Sequence, residues 1–422
     1  MSRPKLTAIS LYTGVGGLDF GFEAADFRTV AAVEFDAIAS RTVRLNRPRW
    51  NLIEGDIHNI TSKEILKIAG LRPGEPDVLI GGPPCQPFSK SSYWVNGDAL
   101  RLDDPRADTL TAYLRVLRDT RPKTFLLENV YGLAYKGKDE GLRHLLSGID
   151  RINQEIGTNY SVSWKMLNAV EHGVPQLRER VFLIGSRDGK PFRFPTPTHG
   201  SATKTGLFSA LEPFRTAWDA IGDLHQGTTD ATSSVGGKWG DLLPSIPEGQ
   251  NYLWHTNRGD GQRLFGWRTR YWSFLLKLAK NRPSWTIQAQ PGSAIGPFHW
   301  SNRKLTTQEM CRIQTFPDGL TFPCGRTDVQ KMIGNAVPSL LAEVLAREIR
   351  TQLLADKRFS GPLKLIPPER GPIPPPEPLA KVPKKYRNLI GDHPDHPGER
   401  RQLPKHRPVK LIDENQLPLT IW

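Results

Sequence analysis

Cysteine is scarce in this 422-residue chain: there are three, and none belongs to a Cys-x-x-Cys pair or to a Cys/His cluster. This scarcity excludes a disulfide scaffold and offers no zinc-site spacing, so we expect a reducing compartment and no bound metal. No stretch approaches the roughly 18 consecutive apolar residues of a transmembrane helix. Residues 1–7 also lack the apolar core of a signal peptide. These absences predict a cytoplasmic protein that does not associate with membranes.

Acidic residues are in the minority, since 43 Asp and Glu stand against 57 Lys and Arg, for a formal charge of +14. Such an excess favours a polyanionic partner, most simply nucleic acid, although a basic surface can also serve solubility alone. Residues 1–185 with 326–355 carry a net +3, residues 186–325 carry +6, and residues 356–422 carry +5. Most of the excess therefore lies outside the first half of the chain.

Short apolar runs alternate with helix-like stretches over the first 185 residues, which predicts an α/β domain with a parallel sheet. One helical pattern is Leu110–Leu117. Glycine, proline or a charged residue ends each strand-like run, at the edge where α/β folds bind ligands. The predicted strands are Leu6–Leu11, Thr29–Val33, Val78–Ile80, Thr124–Leu127, Val162–Met166 and Val181–Ile184.

The composition changes near Ser186, and the segment to Cys324 carries seven of the eleven tryptophans. Within it we expect a small irregular domain with one helix at Arg270–Lys280. Pro338–Leu354 has the pattern of an amphipathic helix, and residues 356–422, with 14 prolines and few aromatics, predict an extended or disordered tail. The expected parts are 1–185, 186–325 with a hinge at 301–325, a returning segment 326–355, and the tail 356–422.

A glycine-rich turn follows the first predicted strand, in the stretch from Leu11 to Leu18 (Leu-Tyr-Thr-Gly-Val-Gly-Gly-Leu). Clustered glycines let the backbone approach a ligand closely, although a purely structural turn uses them too. Glu34 ends the second strand, and Asp56 lies in a third loop. A carboxylate about 20 residues after such a loop is typical of a ribose contact. Together the three loops favour an adenosine-bearing cofactor; the alternative for either acid is a cap or turn residue.

Cys85 lies in Gly81-Gly82-Pro83-Pro84-Cys85-Gln86-Pro87, just past a predicted buried strand. A lone cysteine is usually a small buried hydrophobe, but this stiff loop favours a nucleophile held at the ligand-binding edge. Cys311 and Cys324 lack that setting and are interpreted as structural. Glu128 ends the apolar run Phe125–Leu127, where a carboxyl can have a raised pKa and act as an acid. An ion pair with a nearby arginine is the alternative for Glu128.

In this order the motifs resemble those of the cytosine-C5 DNA methyltransferases of bacterial restriction–modification systems, over about residues 1–355. Ser10 stands where the family usually has an acid, and Tyr12 where it usually has phenylalanine. The motifs run Tyr12–Gly17, Glu34, Asp56, Pro84-Cys85-Gln86, Glu128-Asn129-Val130, Gln176-Leu177-Arg178-Glu179-Arg180, Arg303-Lys304-Leu305-Thr306 to Phe316-Pro317, and Gly334-Asn335-Ala336-Val337-Pro338.

The resemblance implies a Rossmann-like, S-adenosylmethionine-dependent fold with a mixed seven-stranded sheet and a small target-recognition domain at 186–325. It implies that Cys85 adds to C6 of a cytosine flipped out of duplex DNA. Glu128 would contact the N3 edge of the ring, and Arg180 would hold the base. The product would be 5-methylcytosine.

The resemblance also assigns binding residues. S-adenosylmethionine would be held by Tyr12, Gly14, Gly16, Gly17, Glu34, Phe35, Asp56, Ile57, Pro84, Leu110, Asn335 and Val337. Duplex DNA would be contacted by Ser89, Arg178, Arg258, Arg263, Arg268 and Arg270, although for Arg178 the favoured role is support of the loop that carries Arg180. Each arginine could read a base or grip a phosphate, or form a surface salt bridge. We further expect a monomer that functions alongside a restriction endonuclease without a stable complex.

Three other functions compete with this hypothesis. A cytosine-C5 methyltransferase acting on tRNA would share the Pro-Cys-Gln and Glu-Asn-Val elements, but the long Arg/Trp-rich region favours duplex DNA. Amino-directed DNA methyltransferases need an Asn/Asp-Pro-Pro-aromatic loop where this chain has Gly82-Pro83-Pro84-Cys85. A non-catalytic DNA-binding relative would not need Cys85, Glu128 and Arg180 together.

Overall fold

A computed structural model describes residues 5–84, 108–130, 133, 139–201, 211–224, 234–268, 271–356 and 361–395. Seven strands of the first 186 residues form one sheet in the order β3-β2-β1-β4-β5-β7-β6, in which β7 runs in the direction opposite to the other six. The predicted α/β class with a mixed seven-stranded sheet is confirmed. The strands are β1 Leu6–Leu11, β2 Phe27–Glu34, β3 Leu52–Glu54, β4 Val78–Gly81, β5 Thr124–Asn129, β6 Ser161–Asn168 and β7 Glu179–Ser186.

Both faces of the sheet are apolar, because successive strand residues point to opposite sides and both sides are covered. Ile9, Leu79 and Phe125 pack with three helices on one face. Ala8 and Ile80 pack with two other helices on the opposite face. The helices of the first face are α3 Ser62–Ala69, α4 Asp108–Thr120 and α5 Glu140–Ile156; those of the second are α1 Gly17–Ala24 and α9 Ser339–Glu348. The remaining α-helices of the described residues are α2 Ala37–Asn46, α6 Ala217–Ile221, α7 Thr307–Ile313 and α8 Arg326–Asn335.

All six predicted strands are present, β1 with the predicted bounds and the others extended by one to four residues. The three-residue strand β3 was missed because Leu52–Glu54 is too short to show an alternating pattern. The helix predicted at Leu110–Leu117 is α4, and the one predicted at Pro338–Leu354 is α9 continued by a π-helical turn at Ile349–Leu353.

The helix predicted at Arg270–Lys280 is wrong over the described residues 271–280. Its backbone bonds to distant segments instead: Leu275 N donates to Ala294 O at 2.8 Å, and Leu278 N donates to Phe298 O at 2.8 Å. Leu275 also has a φ of 53°, in the left-handed region. The apolar spacing that suggested a helix reflects burial of this segment in an irregular core, in which Leu275, Leu276 and Leu278 are almost fully buried.

Within its described parts, the segment from Ser186 to residue 325 has little regular structure besides α6, α7, the two-residue strands β8 His199–Gly200 and β9 Glu212–Pro213, and short 3₁₀ turns. Residues 361–395 are largely extended, as expected, apart from a 3₁₀ turn at Lys384–Leu389, and they pack against the rest of the protein. Tyr386 is 2% exposed, so this part of the predicted tail is packed and not disordered; residues 396–422 lie outside the described part. No helix among the described residues is both long and apolar enough to cross a membrane.

Candidate active site at the carboxyl edge of the sheet

The glycine turn connects β1 to α1 with left-handed backbone at three residues. Tyr12, Gly14 and Gly16 have φ values of 55°, 56° and 94°. Position 16 also leaves no room for a side chain, because a Cβ there would lie 2.9 Å from the ring of Trp50. A Cβ on Gly14 would meet nothing within 4 Å. The turn therefore packs against Trp50 at Gly16 and leaves free space beside Gly14.

Glu34, at the end of β2, is held against this turn. Its carboxylate accepts from Gly14 N at 2.6 Å and from Asp36 N at 2.8 Å. Burial raises the pKa of Glu34, and the two backbone hydrogen bonds oppose that rise. The acid predicted to contact a ribose therefore lies beside the glycine turn, 20 residues away in sequence.

Other predicted cofactor residues lie at the same edge. Phe35 is 73% exposed, an unusual position for a phenylalanine. Asp56 and Ile57 follow β3, and Arg115 Nη2 donates to Ile57 O at 2.6 Å. Tyr12 donates from its hydroxyl to Thr109 O at 2.7 Å, next to the start of α4.

The chain returns to this edge from its C-terminal part. Asn335 ends α8 with an exposed side chain, and Val337 is buried at 5% exposure. Lys331 of α8 pairs with Asp36 at 2.9 Å, and Asp36 also caps α2 by accepting from Ile38 N. Asp36 and Lys331 were not predicted; an acid directly before a helical pattern signals only a cap, and its partner is 295 residues away.

Two further predicted cofactor residues differ in exposure. Pro84 is exposed at the last described position before the Cys85 loop. Asn129 Nδ2 donates to Pro83 O at 3.2 Å, which ties the beginning of that loop to β5. Leu110 is 1% exposed and packs in the core beneath the edge. Cys85 and Ser89 lie outside the described residues.

Glu128 and Arg180 are brought together by the antiparallel direction of β7. Because β7 begins where β5 ends, Asn129 pairs with Val181 in the ladder and Arg180 lies at the same edge. Arg180 Nε is 2.9 Å from Glu128 Oε1. Burial raises the pKa of Glu128, and the charges of Arg180 and Arg178 oppose that rise. A Cβ on Gly82 would lie 2.9 Å from Glu128 Oε2, so the loop leading to Cys85 passes directly over this carboxyl.

The prediction that Arg178 contacts DNA is wrong for this structure, because its side chain is 1% exposed. Arg178 Nη2 donates to Gly334 O at 2.6 Å, and Nη1 donates to Ile287 O at 3.4 Å. Gln176 adds bonds to Gln314 Oε1 at 3.0 Å and from Ile287 N at 3.1 Å. The start of β7 is therefore joined to the second region and to the end of α8 by a buried polar junction.

Among the arginines between residues 258 and 270 that are predicted to contact DNA, the three described ones, Arg258, Arg263 and Arg268, are all exposed. Arg258 stacks on the ring of Trp267 at 3.8 Å, Arg268 lies 5.9 Å from the ring centre of Tyr271, and Arg263 forms an ion pair with Asp392. Here the segment 258–268 that contains them is named the arginine arm. Arg270 lies outside the described residues.

A buried acid under the glycine turn was not predicted. Asp19 of α1 is fully buried and accepts from Ser10 Oγ and Thr29 Oγ1, both at 3.0 Å. Thr13 Oγ1 in turn donates to Ser10 Oγ at 3.0 Å. Burial raises the pKa of Asp19 to about 7. The serine that replaces the expected acid at position 10 thus serves as a donor to an acid on the following helix.

Comparison with known proteins places this geometry in a family context. A profile of the C-5 cytosine-specific DNA methylases matches residues 6–351. The chain is 40% identical over 373 residues to the type II methyltransferase M.SacI of Streptomyces achromogenes, covering 83% of this chain and 94% of that protein. It is 44% identical over 233 residues to the type II methyltransferase M.AquIA of Picosynechococcus, covering 54% of this chain and 92% of that protein.

Solved structures share the fold at low sequence identity. An E. coli prophage-encoded protein described as a DNA modification methyltransferase superposes with a TM-score of 0.57 at 22% identity, over 83% of this chain and 99% of that one. A mutant of Spodoptera frugiperda DNMT2 superposes with a TM-score of 0.55 at 18% identity, over 82% and 99%. At these identities the likeness concerns the fold alone.

Proposed function

Because the chain belongs to the C-5 cytosine-specific DNA methylase family, we propose that it transfers a methyl group from S-adenosylmethionine to C5 of one cytosine within a specific site in double-stranded DNA. The observation that carries this proposal is the buried Glu128–Arg180 pair directly under the loop that leads into Cys85. The relatives named as type II methyltransferases support a role in restriction–modification.

The residues at the carboxyl edge fit an adenosine-bearing methyl donor. Open space beside Gly14, an exposed Phe35 ring and the Glu34 carboxylate lie around one turn. Glu34 would hold the ribose, Phe35 and Ile57 would flank the adenine, and Asp56 would accept from its amino group. When bound, S-adenosylmethionine supplies an electron-poor methyl group. The other residues assigned to this pocket are Tyr12, Gly16, Gly17, Pro84, Leu110, Asn335 and Val337.

Cytosine C5 needs activation before it can form a bond to carbon. The Cys85 thiolate would add to C6, forming an S–C6 bond while the ring electrons shift towards C5 and N3. Glu128, with its raised pKa, would donate a hydrogen bond to N3, where charge develops. After methylation, loss of the C5 proton to a base and cleavage of the S–C6 bond would restore the ring and the thiolate.

Arg180 would fix Glu128 and the flipped base together. Its Nη1 donates to Glu179 O at 2.7 Å while Nε pairs with Glu128, so the guanidinium is fixed on two sides. Base flipping is required because C6 of a stacked cytosine cannot be reached by a side chain. The side chain is about 15% exposed, and its open face is thus available to the base.

The division of labour along the chain is also a proposal. Residues 1–185 and 326–355 would bind the cofactor and carry out the chemistry, and residues 186–325 would recognise the target. The net charge of +6 in the recognition region and the three exposed arginines of the arm support this division. A cytoplasmic, monomeric enzyme that protects DNA from a separate restriction endonuclease completes the proposal.

Bisulfite sequencing of DNA from cells that express the protein tests the reaction and identifies the site. Methylation of one cytosine in a recurring sequence is expected. Purified protein should then methylate a duplex with that site and not tRNA; transfer to tRNA alone would contradict the proposal.

The covalent step is tested by Cys85→Ser, with Cys311→Ser as the matched control because Cys311 is a buried thiol that packs in a hydrophobic core cluster. The first variant should bind duplex DNA without methylating it, and the second should remain active. A duplex with 5-fluorocytosine at the target should be trapped on the wild-type protein, since the fluorine cannot leave as a proton. Normal methylation by Cys85→Ser would contradict the nucleophile assignment.

A further inference from the structure

Residues 361–395 are anchored to the second region despite their proline-rich composition. Lys280, almost fully buried, pairs with Glu248 at 2.6 Å and with Glu377 of the extended segment at 3.0 Å. Tyr386 stacks on Trp239 with ring centres 5.6 Å apart and donates to Lys238 O at 2.6 Å. An ion pair from the surface carboxylate of Glu377 to the buried Lys280 and a buried aromatic ring fix this segment at two points.

Beyond Tyr386, the segment runs alongside the arginine arm. Gly391 N donates to Arg263 O at 3.2 Å, and the Asp392 carboxylate pairs with the Arg263 guanidinium. Gly266 lies so close to Pro394 that a Cβ on residue 266 would be 2.2 Å from the Pro394 carbonyl oxygen. Two of these three contacts, the Gly391–Arg263 hydrogen bond and the close approach of Gly266 to Pro394, hold the backbone of the arm between residues 263 and 266.

Acidic side chains of this segment lie among the arginines. Tyr252 lies close to both kinds of charge, and its hydroxyl donates to Arg268 O. Burial raises the pKa of Tyr252. Its hydrogen bond to Arg268 O and the charges of Arg258 and Arg268 oppose that rise, while the charge of Asp395 adds to it. The Arg263–Asp392 pair is solvent-exposed on both sides, at 52% and 87%, so it contributes little stability and can exchange for a phosphate. The backbone contacts, rather than this pair, hold the arm.

We propose that residues 384–395, which we name the brace, position the arginine arm for DNA recognition and thereby help to determine target specificity. The brace is a positioning element, because it acts through the arm and not on the reacting atoms. This inference rests on the proposed DNA-binding role of the arm. A fixed arm presents its arginines in one geometry, so less ordering is needed when a specific site is bound.

The substitution Gly266→Ala tests the brace, because the added methyl group must displace the Pro394 backbone. Gly361→Ala is the matched control, since a Cβ there meets nothing within 4 Å. On an unmethylated duplex that contains the target site, Gly266→Ala should raise the KM for DNA about tenfold. The kcat at saturating DNA and the KM for S-adenosylmethionine should be unchanged. Discrimination against sites with one altered base pair should fall, and the control should match wild type.

A second variant, Gly391→Pro, removes the N–H that donates to Arg263 O and, because proline cannot adopt the φ of 158° found at this exposed position, forces the brace away from the arm. It should raise the KM for DNA in the same way. Parallel losses of kcat, cofactor binding and melting temperature would indicate a purely structural role and overturn the proposal. If Arg258→Ala raises the KM for DNA and neither glycine variant does, the positioning role of the brace is contradicted while the DNA-binding role of the arm stands. If none of the three does, the DNA-binding role of the arm fails with it.

Discussion

Gly17, the first residue of α1, lies against Val337 near the far end of the catalytic part, and a Cβ on residue 17 would be 2.6 Å from the Val337 carbonyl oxygen. Helix propensity alone predicts that Gly17→Ala stabilises α1 by roughly 1 kcal/mol. The contact predicts the opposite, a destabilisation of about 1–3 kcal/mol from overpacking. We expect a lower melting temperature and weaker S-adenosylmethionine binding, measured by thermal unfolding and calorimetry. Gly236→Ala, with open space around it, is the control; equal stability of the two variants would contradict the contact.

Asp19 makes the stability of the protein depend on pH. Burial raises its folded pKa from 3.8 to about 7, so between these values the folded state binds a proton that the unfolded state has lost. Stability from this group is fully present below the unfolded pKa and is lost as pH rises through about 7. Asp19→Asn removes this dependence, and its stability relative to wild type should increase with pH by up to about 1.4 kcal/mol per unit in that window.

Urea unfolding at a series of pH values between 5 and 8 measures this effect. Asp188→Asn, at a side chain that is 62% exposed, serves as the control and should follow the wild-type profile. A constant difference between Asp19→Asn and wild type across the series would show that Asp19 is already ionised in the folded protein.

Glu128 should matter for the chemical step far more than for DNA binding. Glu128→Ala removes the proposed hydrogen bond to the base and leaves Arg180 without its carboxylate partner. Loss of one such transition-state contact typically lowers kcat by about 10²–10³. Single-turnover methyl transfer should fall by this factor while duplex affinity changes little. Glu155→Ala, at an exposed glutamate of α5, should transfer at the wild-type rate; a Glu128→Ala effect confined to DNA affinity would contradict the assignment.

Arg178 and Arg258 should respond in opposite ways to substitution. Arg178→Met leaves the carbonyl oxygens of Gly334 and Ile287 without their buried donor, which should cost about 1–3 kcal/mol of stability. The salt dependence of DNA binding by the folded variant should be unchanged. Arg258→Ala should leave stability near wild type and, if the arginine contacts a phosphate, reduce the slope of log K against log salt by about 1. Fluorescence anisotropy over a salt series distinguishes the two, and a reduced slope for Arg178→Met would restore it as a DNA contact.

Local patterns predicted the strands of the sheet well, and errors arose where contacts with distant segments determine the backbone conformation. β1 was predicted residue for residue because Lys5 precedes its largely apolar run and the glycine-rich turn follows it. The segment 271–280 was assigned to a helix because apolar spacing cannot reveal that its N–H groups bond to residues near 294–298. Likewise, Asp19 gave no signal, since an acid on a helix is normally exposed.

The sequence by itself determined the family, the order of the motifs and the position of Glu34 and Glu128 at strand ends, because strand and turn preferences are local and the parallel fold gathers strand ends at one edge. Only the tertiary structure decided which charges are paired. Arg178 and Arg180 are two residues apart, yet one is buried against Gly334 and the other faces Glu128. The same holds for the proline-rich segment, which is ordered because Glu377 and Tyr386 find partners more than 90 residues away. Burial and pairing depend on such non-local contacts, which composition and periodicity do not record.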